Sequence, residues 1–416
     1  MNECWDFAVV GGGASGLAAA IAASDFGDRV ILLEKNPALG KKIAASGNGR
    51  CNLMNLRPPV YYGEPSFANA VLNHYPPDRL IRFWNQLGLY LSEEREGRLY
   101  PCTFHSGSVI DALKERLRSN RVEIRLQADV SGVTFADRLF HIHLANQVFL
   151  SKRVLIATGG IASPRLGGSP SGYSILQAFG HRMIPPFPAL CPLVTDSRSI
   201  SGLAGIRVKC TVSLFTLFHH LVHQESGEVL FTSAGISGIC IMQCARFIED
   251  ECYVKLDFLR RIIPDKTELF DILKTRRNQI RDFSPDCILH GLLMPKLSFA
   301  VVKQAGIPLK GRTAGDLSDE ELRAICETAY GYTLQVKGTQ GFDEAQVTAG
   351  GISCDSFRPQ TMESSLVAGL HASGEVLNVD GDCGGFNLMF AFASGILAGI
   401  NGRKRKGGTE GCVKEI

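Results

Sequence analysis

The chain has 416 residues, 45% hydrophobic and 20% charged, with a formal net charge of +3. That length exceeds what one core usually supports and predicts two or more folding units of globular composition. The charge is too mild for a nucleic-acid partner, and the longest apolar run, "FNLMFAFASGILAGI", falls short of the roughly 18 residues that suggest a membrane span.

Thirteen cysteines without a CxxC pair or a secretory leader predict reduced thiols in a cytoplasmic protein, with neither a disulfide framework nor a metal site. Most should be small buried hydrophobes. The basic tail "GRKRKGG" reads as a solvated terminus.

In chain order, "DFAVV" reads as a buried strand, "GGGASG" as a tight turn, "LAAAIAASDF" as a helix closed by Gly27, and "RVILLE" as a second strand. This βαβ unit carries GxGxxG at Gly11, Gly13 and Gly16, with Glu34 at the end of the second strand. Gly11 permits the sharp turn, Gly13 admits a pyrophosphate to the backbone, and Gly16 allows close packing of helix on strand. Ala14 and Ser15 open the helix, where free N–H groups bind phosphate. Glu34 is expected to accept the ribose hydroxyls of an adenosine, with Lys35 beside it.

The loop "SGNGRCN", Ser46 to Asn52, leaves the backbone bare just before polar side chains, a pattern for close approach to a flat or charged ligand. Residues 121–149 read as a meander whose first segment, "VEIRLQADV", offers the Val130 backbone to an adenine. "RVLIATGG" is another buried strand, ending in Ala157, Thr158 and Gly159. "VKCTVSLFTLF" and "GEVLFT" look like barrel strands, and "FHHLVH" with His219, His220 and His223 reads as a polar loop lacking a carboxylate at ligand spacing. "DKTELFDILKTRRNQI" and "SDEELRAICETAYG" carry helical periodicity and start signals.

Near the C-terminus a third glycine-rich element runs through Gly374, Glu375 and Asp380 to Gly385 and Asn387, which open an apolar helix. Three close backbone approaches so far apart in sequence require a long, extended ligand. FAD has that shape.

Several ordered stretches carry a resemblance that runs nearly end to end, among them "VVGGGASGLAAA", "GKKIAASGNGRCNLMN", "GRLYPCTFHSGSVIDAL", "IATGGIASPRLGGSPSGYSILQAFGH", "DEAQVTAGGIS" and "ASGEVLNVDGDCGGFNLMFAFASG". They resemble the bacterial aminoacetone-oxidase-like FAD-dependent oxidoreductases, a family that includes the bile-acid-inducible N flavoprotein. The resemblance implies an α/β fold: a glutathione-reductase-type FAD-binding domain over residues 1–190 and 345–416, interrupted by an inserted substrate-side domain over 191–344. That insert would combine a β-barrel with a helical piece at about 262–330.

By the same resemblance the Ser46–Asn52 loop passes beside the cofactor toward its isoalloxazine, Gly47 keeps the backbone close, Arg50 and Asn52 reach polar edges or substrate, and Lys42 meets the pyrophosphate. Cys51 is expected as a buried spacer rather than a redox thiol. Glu375 is expected to hydrogen-bond the ribityl or phosphate region, since against the pyrophosphate itself a carboxylate would need a bridging water or ion. The helix beginning at Gly385 would face the pyrimidine edge. Departures from the family pattern stand at Ser171, Ser233 and Ile239, on the presumed substrate side.

The implied activity is NAD(P)H-linked reduction of a C=C bond conjugated to a ketone, as in a 3-oxo-4-ene steroid or bile acid, with an apolar small-molecule substrate and NADH or NADPH as transient donor. Arg50, Tyr100 and His105 are the catalytic candidates because they lie in family motifs. Oxidation of a small amine such as aminoacetone, or FAD binding without turnover as a redox partner, are the alternatives.

Overall fold

The computed structural model describes residues 4–248 and 251–401. The basic stretch at 402–408 lies outside the described residues. The chain divides into two compact units, Met1–Phe187 with Val347–Ile416, and Pro188–Gln346.

In the first unit a five-stranded sheet runs in the order Leu370–Ala372, Val154–Ile156, Phe7–Val10, Val30–Glu34 and Glu123–Leu126. Every neighbouring pair is parallel. Strands covered on both faces must be apolar throughout, and "FAVV" and "VLI" are buried at every position. The helix Ala14–Asp25 follows the first of these strands and is buried over most of its length, which explains why its residues are small and apolar all round.

The helix Phe386–Ile400 packs against it with almost no separation. A Cβ on Gly395 would stand 2.1 Å from the Ser15 carbonyl oxygen, and one on Gly399 would stand 2.4 Å from that of Ala19. The helix is therefore a buried core element, with the bounds that the apolar run implies. Among the described residues no helix is long and apolar enough to cross a membrane.

"VEIRL" does not begin the meander. Glu123–Leu126 pairs parallel with Val30–Glu34, from Ile31↔Glu123 to Glu34↔Leu126, as the outer strand of the five-stranded sheet. The meander itself is Gly132–Ala136, Leu139–His143 and Val148–Ser151, extended by Cys4–Trp5.

The second unit holds a closed six-stranded barrel in the order Leu193–Thr195, Gly235–Ser237, Leu221–Phe231, Arg207–Thr216, Cys252–Asp257 and Tyr332–Thr339. The helices Lys266–Gln279, Pro295–Gln304 and Asp319–Ala329 belong to the same unit. Asp265 caps the first by accepting the Thr267 N–H, and Ser318 and Glu321 form a capping box on the third.

The histidine run also departs from expectation. Only residues 217–220 form the turn, and His223 lies within the strand Leu221–Phe231. Its ring stacks on Phe247 at 4.6 Å, and its Nε2 stands 3.5 Å from Glu225 Oε1. A carboxylate two residues along a strand shares the face of the histidine, a neighbour missed because the segment was read as loop.

Candidate dinucleotide and substrate site

The glycine turn follows the strand Phe7–Val10 and leads into the helix Ala14–Asp25. A Cβ on Gly16 would lie 1.9 Å from the Gly11 carbonyl oxygen, so the helix can close over the turn only with glycine there. Gly11 itself, at φ +111, presses on the Ala157 carbonyl of the adjacent strand, where a Cβ would approach to 2.4 Å. Gly13 is different: nothing lies within 4 Å of an added Cβ. It is also the N-cap of the helix and provides no side-chain cap, which leaves N–H groups to be satisfied by a ligand. Ala14 is half-buried and Ser15 buried, with the Ser15 hydroxyl donated to the Ser373 carbonyl at 3.3 Å.

Glu34 is buried and does more than wait for a ribose. Its Oε2 accepts the Gly12 N–H at 2.6 Å, and its Oε1 accepts the backbone and side-chain N–H groups of Asn36 at 2.7 and 2.6 Å. The carboxylate thus braces the glycine turn first, and a ribose hydroxyl would add to a set already partly filled. Lys35 beside it is half-buried. Val130 is buried between the bonds Ala128 N–H to Glu34 O and Ser131 N–H to His143 O.

Lys42 and Glu375 meet each other. The Lys42 Nζ lies 2.9 Å from Glu375 Oε2 and 3.1 Å from Oε1, which also accepts the Thr348 N–H at 2.9 Å. The two residues, each expected to face the cofactor, thus neutralise each other, and the pair carries no net charge. A Cβ on Gly160 would stand 2.8 Å from Glu375 Oε1, which brings the second and third glycine-rich segments to one place. Thr158 and Gly159 are half-buried beside buried Ala157, and the space at Gly159 is open within 4 Å.

The Ser46–Asn52 loop folds back sharply, with Gly47, Asn48 and Cys51 at φ +56, +54 and +58. Its arginine is occupied: the Arg50 guanidinium lies 4.6 Å from the ring centres of both Tyr100 and Phe104, and 3.0 Å from Glu94. Two of the three catalytic candidates therefore touch. His105 is exposed at the cap of the helix Ser106–Ser119, next in the chain to Phe104. Cys51 is fully buried, and burial pushes its thiol up to about 11, which leaves it a neutral spacer near pH 7.

Asn52 Oδ1 is buried without a hydrogen-bond partner and lies 2.8 Å from where a Cβ on Gly385 would be. Gly385, at φ +105, is the N-cap of Phe386–Ile400 and again supplies no side-chain cap. Asn387 does not point its amide outward. Its Oδ1 accepts the Gly381 N–H and its Nδ2 donates to the Gly381 carbonyl, both at 2.8 Å, so the side chain ties the preceding strand instead. Asp380 is buried on that strand, Val379–Gly381, and Gly374 is buried where a Cβ would meet the Ser15 hydroxyl.

Two uncapped helix starts, open space at Gly13 and Gly159, and an orphaned amide oxygen at Asn52 fit a dinucleotide such as FAD. Asn36 and Thr348 were missed from sequence. Thr348 sits in "DEAQVTAGGIS", a stretch singled out as a motif but given no role, whereas nothing in the sequence marks Asn36.

A family model described as HI0933-like protein Rossmann domain matches residues 5–401. The chain belongs to the HI0933-like family. Within reach of this HI0933-like chain, a 3-dehydro-bile acid delta(4,6)-reductase from Clostridium scindens is 34% identical over 402 residues, covering 94% of this chain and 97% of the relative. A ribosomal RNA dihydrouridine synthase from Escherichia coli is 30% identical over 401 residues, covering 94% and 96%. A solved 3-ketosteroid-delta4-(5alpha)-dehydrogenase from Rhodococcus jostii aligns at 14% identity and TM-score 0.49 over 96% of each chain, a level that bears on neither substrate nor mechanism. Neither curated relative is named for amine oxidation.

Proposed function

We propose that this HI0933-like chain binds FAD in the first unit and reduces a C=C bond conjugated to a carbonyl, with a 3-oxo-4-ene steroid or bile acid as substrate and NADH or NADPH as donor. The observation that carries the reading is the 34% identity to a bile-acid delta(4,6)-reductase over nearly the whole of both chains. Bound FAD supplies a hydride donor and acceptor. Gly13, Ala14 and Ser15 would hold its phosphates, Glu34 its ribose, and Asn52 with the helix start at Gly385 its isoalloxazine edge.

The chain's own task is then to hold a carbonyl oxygen and to deliver a proton to the α-carbon. Arg50 suits the first. A guanidinium stacked on Tyr100 and Phe104 keeps its plane fixed while its remaining N–H groups stay available to an oxygen. Tyr100 or His105 would supply the proton.

The 30% identity to a dihydrouridine synthase favours a second substrate for the same chemistry. The C5=C6 bond of uracil is conjugated to a ring carbonyl, so a uridine in RNA needs the same oxygen contact and the same proton. The two substrates separate in an anaerobic assay of the yellow protein with NADH or NADPH, offering a 3-oxo-4-ene steroid and a uridine-containing ribosomal RNA fragment in parallel. The reading expects a product two mass units heavier from the steroid. Turnover of the RNA alone would reassign the substrate, and bleaching of the oxidised flavin by a small amine with no nicotinamide added, neither alkene being reduced, would refute the reductase.

A further inference from the structure

In the helical part of the second unit, Asp286, Cys287 and His290 each offer a ligand atom, and these atoms lie within 4.8 Å of one another. Among the described residues this is the one such group of three. Its spacing, i, i+1 and i+4, converges because Pro285–Leu289 is a 3-10 turn, closed by the His290 N–H on the Cys287 carbonyl at 3.1 Å. All three residues are half-buried.

The histidine supplies the second observation. His290 Nε2 is shielded from solvent and has no hydrogen-bond partner, an expensive state for a ring nitrogen that a metal would relieve. The turn is also held from both sides. The Ser298 hydroxyl of the helix Pro295–Gln304 donates to the Asp286 carbonyl, and Ser284 donates to Asp286 Oδ1, which leaves Oδ2 for a ligand. On the other side Arg276 Nη2 reaches the Cys287 carbonyl at 3.5 Å. Burial and then the Asp286 carboxylate push the Cys287 thiol up and Arg276 offsets them only in part, so a metal has to displace the thiol proton.

We propose that Asp286, Cys287 and His290 bind a zinc-class divalent cation, with a water in the fourth position. A thiolate, an imidazole and a carboxylate form a mixed set that suits Zn²⁺ and excludes Mg²⁺ or Ca²⁺, which take oxygen ligands. A tetrahedral site needs ligand atoms about 3.3–3.8 Å apart, given metal–ligand bonds of about 2.0–2.3 Å, so side-chain rotation must draw this group inward by roughly 1 Å. Binding forms the metal–sulfur bond and releases the Cys287 thiol proton to water. The ion would pin the turn between its two flanking helices, a role separate from the flavin chemistry.

The test is cobalt titration of the full-length, flavin-loaded protein, with zinc affinity then read by displacement of the cobalt. The wild type should bind one equivalent with a thiolate-to-cobalt charge-transfer band. Cys287→Ser should lose that band, and His290→Gln should weaken zinc by at least about tenfold. Flavin content reports folding in each variant. Should one variant fail to fold, the other still decides. Absence of the band in the wild type, or an unchanged band in folded Cys287→Ser, overturns the proposal.

Discussion

Lys42 Nζ lies 2.9 Å from Glu375 Oε2, joining residues 333 positions apart in the chain. The side chains are 31% and 20% exposed, between a surface pair and a buried one. Removing Lys42 leaves Glu375 with the Thr348 N–H but without its counter-charge. Lys42→Met should therefore cost about 1–2 kcal/mol, and the double variant with Glu375→Gln should recover part of it. Urea denaturation of the four proteins checks this. Strictly additive costs would mean that the contact is incidental.

Gly13 and Gly16 should respond in opposite ways to the same methyl group. Gly13→Ala meets no protein atom within 4 Å, and its backbone, at φ −86, is ordinary for alanine. Stability without flavin should change by no more than about 0.5 kcal/mol, while FAD affinity falls about tenfold or more because the methyl enters ligand space. Gly16→Ala drives a Cβ into the Gly11 carbonyl and should destabilise the fold itself. Thermal denaturation with and without FAD separates the two. Unchanged flavin affinity in Gly13→Ala would remove the phosphate site from this helix.

Arg50→Lys tests the proposed carbonyl contact. Lysine keeps the charge and can still meet Glu94, but it lacks the planar group that lies on Tyr100 and Phe104. Enone reduction should fall by about 10- to 100-fold in kcat/KM, the loss of one charge-assisted hydrogen bond, with flavin content unchanged. Loss of flavin instead would make Arg50 a cofactor residue.

Burial raises the Cys51 thiol to about 11 and does the same for Cys240 and Cys326. Unfolded thiols titrate near 9, so the unfolded chain loses protons first as pH rises and the folded state binds more protons between these values. The stability these thiols contribute is complete below pH 9 and is lost as pH climbs from 9 to 11. A falling denaturation midpoint over that window checks the sign. At pH 7 an alkylating agent should label exposed Cys102 well before Cys51, and mass spectrometry reads the order.

Local features were legible and long-range partners were not. The GxGxxG turn and the two helices around it follow from residues within a short span, because glycine placement and an all-apolar helix surface are properties of the segment itself. The outer strand Glu123–Leu126 was misplaced, since strand pairing depends on what lies alongside and not on the strand's own residues. The same reason hid the Lys42–Glu375 pair and the role of Thr348. An amide at a helix start, such as that of Asn387, can turn outward or brace its own loop, and only packing decides. Asp286, Cys287 and His290 converge only once the 3-10 turn has formed, so their proximity is not visible in the sequence.

The central claim is that a flavin held in the first unit passes hydride to a conjugated double bond. The direct measurement is the oxidative half-reaction: the purified yellow protein is reduced anaerobically, mixed with a 3-oxo-4-ene steroid, and followed through the return of flavin absorbance. One equivalent of enone should restore the oxidised spectrum and leave a saturated ketone. A spectrum that stays bleached with both the steroid and a uridine-containing RNA, yet returns with oxygen alone, would contradict the account.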